Sequence, residues 1–116
     1  MAASDHLGPM FKDYVLRFTP GDVETEEPHT VEAYSDATKV GYLDWHAEHG
    51  EIEDVDVLPE HQRKGIATAM YQRAQEVART QNLVEPVHSN LRSPSGDAWA
   101  QRVGGHNSRP YKVEWM

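Results

Sequence analysis

The run Val55-Asp56-Val57-Leu58-Pro59-Glu60-His61-Gln62-Arg63-Lys64-Gly65-Ile66-Ala67 constrains this chain more than any other feature. Its apolar residues alternate, a proline stops the alternation, and a glycine-containing turn opens directly into a helical pattern. A period of two marks a strand with one buried face, and Pro59, lacking an N–H, cannot continue a central sheet ladder. From Ile66 to Thr80 the residues Ile66, Met70, Ala74, Val77 and Ala78 recur at helical spacing, with Gln72, Arg73, Gln75, Glu76 and Arg79 on the other face. The turn is therefore a helix N-terminus. Its first N–H groups have no intrahelical partner, and the macrodipole adds about half a positive charge, so an anion can sit there. Gly65 permits close approach to the backbone, Ala67 keeps the next turn clear, and Arg63 and Lys64 add positive charge.

Strands and loops surround that unit. Residues 1–12 have no period and read as a loose arm, which leaves 13–116 as a single domain, since 116 residues do not hold two cores. Tyr14 to Phe18 is a first strand, ended by Thr19-Pro20-Gly21-Asp22, and the acidic stretch Gly21 to Thr30 is a loop with little to bury. Val31 to Tyr34 and Lys39 to His46 form a hairpin, with Leu43 and Trp45 on one face and Tyr42, Asp44 and His46 on the other. Glu51 to Leu58 and Leu83 to His88 supply further strands, on either side of the helix. Ser93-Pro94-Ser95 opens a short helix carrying Trp99 and Val103 and closed by Gly104-Gly105, and Tyr111 to Trp115 is a last strand. The order predicts an α+β fold in which a mixed, mostly antiparallel sheet is flanked by helices.

Composition narrows the chemistry. With no cysteine, disulfides, a thiolate nucleophile and cysteine-ligated metals are excluded. The group His46-Ala47-Glu48-His49 runs from a strand end into a glycine turn with no third ligand and no H-E-x-x-H, so no metal is expected. No apolar run approaches the ~18 residues of a membrane span, and the start lacks a basic region followed by an apolar one, so the expected location is the cytoplasm. The net charge of −8 is unevenly distributed, with −12 in residues 1–60 and +4 in residues 61–116. A basic half beginning at the phosphate turn suits a polyanionic ligand, and an acidic half suits a cationic one. Trp45, Trp99 and Trp115 read as core residues, and without basic residues interleaved with aromatics nucleic acid is not an expected partner.

Gln62-Arg63-Lys64-Gly65-Ile66-Ala67 resembles the Q/R-x-x-G-x-G/A signature with which the GNAT superfamily of N-acetyltransferases cradles the pyrophosphate of acetyl-CoA, and it stands in that family's order of strand, turn and helix. Neither G-x-x-x-x-G-K-[ST] nor G-x-G-x-x-G occurs. The resemblance implies a GNAT-like acyl-CoA N-acyltransferase fold, acetyl-CoA as cosubstrate, and direct attack of an amine on the thioester. Carried over residue by residue, it implies cofactor binding by the backbone of Val55, Val57 and Leu58, by the turn Gln62, Arg63, Lys64, Gly65, Ile66 and Ala67 with Thr68 after it, and by Asn90. Glu51, eleven places before Gln62, matches the base glutamate of histone-acetyltransferase-like members, with Glu53 as second candidate. By strand parity both glutamates share a face with Val55 and Val57, opposite Asp54 and Asp56, unless a bulge intervenes.

The stretch Asn90 to Gly105 loosely resembles the half-motif N-x-x-A-x-x-[LF]-Y-x-x-x-G-F, but Ala100 stands at the Tyr position, leaving Ser89, Asn90, Tyr111 or water to protonate the departing thiolate. Where the family builds acceptor-site helices this chain has only the loop Gly21 to Thr30, so the acceptor is a small-molecule or peptide amine of open identity, and a homodimer that completes the acceptor wall is the expected assembly. Two other readings stay open: a catalytically silent CoA-binding module, and acylation of a nucleic-acid amine.

Overall fold

The computed structural model describes residues 10–88 and Trp99. Its strands are β1 (Met10–Phe11), β2 (Tyr14–Thr19), β3 (His29–Ser35), β4 (Thr38–Trp45) and β5 (Ile52–Val57). They form one sheet in chain order, with every neighbouring pair antiparallel. The helix α1 (Ile66–Thr80) packs across one face, touching β2, β3, β4 and β5. Val31, Ala33, Leu43 and Trp45 from the sheet and Met70 and Ala74 from α1 are fully buried between the two layers. Tyr42 and Asp44 lie on the opposite face, as the alternation of β4 requires. No helix among the described residues is long and apolar enough to cross a membrane.

The sheet begins earlier than the sequence indicates. Met10 and Phe11, inside the expected loose arm, pair with Val15 and Tyr14 across the two-residue turn Lys12-Asp13, where Lys12 takes a φ of 54°. The acidic loop is also tighter than expected, because Asp22 and Glu27 bridge each other and β3 starts at His29. His29 is buried against Phe18 and Trp45, with ring centroids 5.9 and 5.2 Å away, and its Nδ1 accepts the Gly21 N–H at 2.8 Å. Burial pushes its pKa below the ordinary histidine value. Between the folded and unfolded values the unfolded chain binds more protons, so the stabilisation is present above pH ~6.5 and is lost as pH falls toward the depressed value. Urea unfolding at successive pH values is expected to show this loss in the wild type, and a smaller one in His29→Asn, whose amide oxygen can accept the same N–H but does not titrate.

One irregularity changes the face assignment of the acidic strand. Asp44 pairs with Asp54, but Trp45 pairs with Ile52, so Glu53 is the extra residue of a bulge. The bulge puts Ile52 on the core face with Val57, and alternation then turns Glu51 away from that face. The expected grouping of Glu51 and Glu53 with Val55 and Val57 is therefore corrected.

Beyond α1 the chain returns beside β5. Ile52 donates its N–H to the Val87 carbonyl at 2.8 Å, and Val87 donates to Gly50 at 2.7 Å, making a parallel bridge between Glu51 and Val87. That isolated bridge adds a parallel contact at the β5 edge, while Leu83 to Pro86 has no regular secondary structure, so the expected strand Leu83 to His88 is not continuous. The Trp45 indole ties this segment down through a 2.9 Å hydrogen bond to the Val84 carbonyl. Trp99 is helical, as expected, whereas the remainder of that helix and Tyr111 to Trp115 lie outside the described residues.

Candidate cofactor-binding site

Past β5, Pro59–His61 makes one turn of 3-10 helix, Gln62 is extended, and the backbone then reverses through two left-handed residues, Arg63 at φ 63° and Gly65 at φ 85°. Holding a non-glycine residue in that region costs about 1–2 kcal/mol. Such strain recurs where a backbone must present its polar groups to a ligand. Gly65 is the N-cap of α1, and the bond from Ala69 N–H to the Gly65 carbonyl at 2.9 Å closes its first turn. The N–H groups of Ile66, Ala67 and Thr68 precede that bond at the open end of the helix. Over them lies a cleft of about 150 Å³ whose walls include Val57, His61, Arg63, Gly65, Thr68 and Trp99. Helix-end N–H groups, a left-handed glycine and two adjacent cations form a donor set that fits a phosphate or pyrophosphate.

Residues far away in sequence hold this turn. The Gln62 amide donates to the Val57 carbonyl at 2.8 Å, clipping the turn to its own strand. A Cβ on Gly65 would lie 3.3 Å from Phe11 Cζ, so β1 backs the glycine directly. Lys12 Nζ reaches the Lys64 carbonyl at 3.3 Å, the Tyr14 hydroxyl is 2.8 Å from His61 Nδ1, and the Trp99 indole N–H donates to Thr68 Oγ1 at 3.1 Å. The contributions of Phe11 and Tyr14 are not visible in the sequence, where only the aromatic character of Phe11 within an otherwise featureless arm hints at packing, whereas His61 stands beside Gln62 of the signature, within reach of a cofactor phosphate or of solvent.

From the turn a track runs along β5. Leu58 donates its N–H to the Val40 carbonyl at 2.8 Å, so by antiparallel alternation the N–H groups of Val57 and Val55 point to the opposite edge of the strand. This separates the three expected backbone positions: Val55 and Val57 present donors to that edge, while the Leu58 N–H is held within the sheet. Among the described residues the edge is paired at its start, through Glu51, Ile52 and Val87, and at its far end, where the Val57 carbonyl accepts the Gln62 amide. An extended ligand entering from the phosphate turn meets the outward N–H groups of Val57 and Val55 and reaches the pairing point at Glu51, roughly 20 Å along at ~3.3 Å per residue. Glu51 thus lies at the inner end of the track, and Glu53 is exposed on the bulge. Asn90 and Tyr111 lie outside the described residues.

The sheet face opposite α1 carries a second, open hollow of about 380 Å³ that the sequence does not single out. Its groups satisfy one another: Tyr42 donates to Asp54 at 2.6 Å, Thr30 to Asp44 at 2.9 Å, and Lys39 to Glu32 at 3.3 Å. The bond to Asp54 pushes the Tyr42 phenol up to about 12, and burial raises the Asp44 carboxyl, partly offset by its bond from Thr30. At the other strand end His46 Nδ1 accepts the N–H groups of Glu48 and His49, both at 3.1 Å, so that ring organises a turn.

Comparison with known proteins bears on fold and family. Among solved structures, the chain is similar to the crystal structure of a ribosomal-protein-alanine N-acetyltransferase from Brucella melitensis biovar Abortus 2308, with a TM-score of 0.58 and 20% identity. The match covers 67% of this chain and 64% of that one, and at this identity it is a likeness of fold. No curated protein sequence matches. The family model for the acetyltransferase (GNAT) family matches residues 4–100, a span that includes the phosphate turn, the bulged strand and α1. The chain therefore belongs to the GNAT acetyltransferase family.

Proposed function

We propose that the protein is an N-acetyltransferase that moves an acetyl group from acetyl-CoA to an amine. The observation that carries this reading is the alignment of the helix-end cleft, the outward N–H groups of Val57 and Val55, and Glu51 along one edge of the same strand. In the proposed reaction the phosphates rest on the N–H groups of Ile66, Ala67 and Thr68 with Arg63 and Lys64 beside them, and the backbone of β5 holds the extended arm. An acceptor arrives largely as ammonium, with a pKa near ~10, so it must lose a proton before it can attack. Glu51 is proposed to accept that proton, directly or through water. The amine nitrogen then bonds to the thioester carbonyl carbon, the carbon–sulfur bond breaks, and the thiolate leaves and takes up a proton. Its conjugate acid has a pKa near ~8.5, so water suffices as donor, consistent with Ala100 at the family's Tyr position.

The register gives the charge asymmetry a direction. His29, Trp45 and Ile52 form one row, so the acidic loop after β2 and Glu51 gather at one end of the sheet. The turn with Arg63 and Lys64, joined by Lys12, occupies the other. We place the acceptor, a small-molecule or peptide amine, at the acidic end, with a second copy of the chain as the proposed source of any missing wall and the cytoplasm as the proposed location. Neutralising the exposed Glu24, Glu26 and Glu27 together is then expected to raise the acceptor KM several-fold and to flatten its salt dependence, leaving CoA affinity unchanged. Kinetics identical to wild type at low and high salt would place the acceptor elsewhere.

The deciding assay incubates the protein with acetyl-CoA and a panel of polyamines, aminoglycosides, amino acids, peptides and oligonucleotides and follows release of free thiol. Ala100 in place of the family's tyrosine favours one alternative, a CoA-binding module without turnover, and binding without thiol release would establish it.

A further inference from the structure

We infer that two aromatic donors, Tyr14 and Trp99, convert the side chains of His61 and Thr68 into hydrogen-bond donors facing the phosphate cleft, so that His61, which the GNAT signature does not include, is a phosphate-binding residue with Tyr14 as its positioning residue. The inference rests on the reading of the cleft as a CoA phosphate site. Tyr14 is 6% exposed, and its hydroxyl has one hydrogen-bond partner among the described residues, His61 Nδ1 at 2.8 Å. A buried phenol proton without an acceptor is costly, so with neutral His61 the phenol donates and Nδ1 accepts. The ring proton then resides on Nε2. If His61 takes up a second proton, Nδ1 donates to the phenol oxygen and Nε2 still carries its proton. In both states the nitrogen remaining for the cleft is a donor. The rings of Tyr14 and His61 meet edge to face at 84° and 5.6 Å, which fixes the imidazole plane as well.

The same logic holds on the other wall. Trp99 donates to Thr68 Oγ1 at 3.1 Å, and an indole N–H can only donate, so it takes up acceptor capacity on Thr68 and leaves the hydroxyl proton to be donated elsewhere. Trp99 is held in turn by edge-to-face contacts with Tyr71 and His88 at 5.6 and 5.1 Å. His61 and Thr68 both line the cleft. The aromatic pair therefore orients the cleft toward an acceptor-rich anion without adding formal charge.

Calorimetry with CoA on the full chain tests this. His61→Ala is expected to weaken CoA about tenfold, as loss of a hydrogen bond to a charged group does. His61→Gln, whose amide nitrogen stands where Nε2 stands, should recover most of that loss. Tyr14→Phe should weaken CoA about threefold, by freeing the tautomer, and Thr68→Val should behave like His61→Ala. Binding of pantetheine, which lacks the phosphates, should be the same in His61→Ala as in wild type. Melting curves establish that each variant is folded, and the His61 pair suffices if Tyr14→Phe is not. Wild-type affinity in His61→Ala, or a His61→Gln variant as weak as His61→Ala, would overturn the inference while leaving the functional reading intact. A wild-type protein with no affinity for CoA would overturn both.

Discussion

Gly65→Glu is expected to lower CoA affinity by at least ~100-fold, because it puts a carboxylate at a helix end prepared for an anion and buries a charge against a phosphate. The structure adds a second effect. Gly65 stands at φ 85° and its missing Cβ would meet Phe11 at 3.3 Å, so any side chain there also strains the backbone and presses on β1. Gly65→Ala separates the two. It should cost about 1 kcal/mol of stability from the left-handed backbone, together with a smaller loss of affinity. Calorimetry on the folded variants decides, and a Gly65→Glu protein that binds CoA like wild type would remove the phosphate assignment altogether.

The second large effect is expected at Glu51. Glu51→Gln keeps the size of the side chain and removes its ability to accept a proton, so the rate should fall by roughly 10²–10⁴ at neutral pH while CoA affinity stays near wild type. Activity should partly recover at high pH, where the amine deprotonates unaided. The test is sharper than strand parity alone would make it, because the bulge places Glu51 and Glu53 differently: one at the pairing point with Val87, the other on the unpaired extra residue. Glu53→Gln should therefore have little effect on rate. Full activity in Glu51→Gln at neutral pH would transfer the role to another group or to a chain of water molecules.

Local patterns carried most of what was legible in the chain. The helix Ile66–Thr80 has the expected limits, since its apolar period is unbroken and glycine and proline frame its entry. The β3–β4 hairpin was equally visible, because Leu43 and Trp45 differ sharply in polarity from Tyr42 and Asp44. The bulge was not, since Glu51, Glu53, Asp54 and Asp56 are all acidic and a shift of one residue among them leaves no contrast to detect. The two-residue strand β1 is too short for a period, and the engagement of the Leu58 N–H follows from register with Val40 rather than from residue type. The tie between Tyr14 and His61 joins positions 47 residues apart, beyond the range of any spacing rule.

That last separation matters for how the molecule comes into being. The six-residue signature looks like a self-contained cassette, yet its conformation leans on Phe11, Lys12 and Tyr14, which reach it only after the intervening strands have closed the sheet. Contacts of such long sequence separation form late, once the entropy of loop closure has been met by the hairpins between them. Competence to bind is therefore a property of the assembled sheet, and by mass action any ligand that settles on the turn draws the N-terminal hairpin into place as it does so.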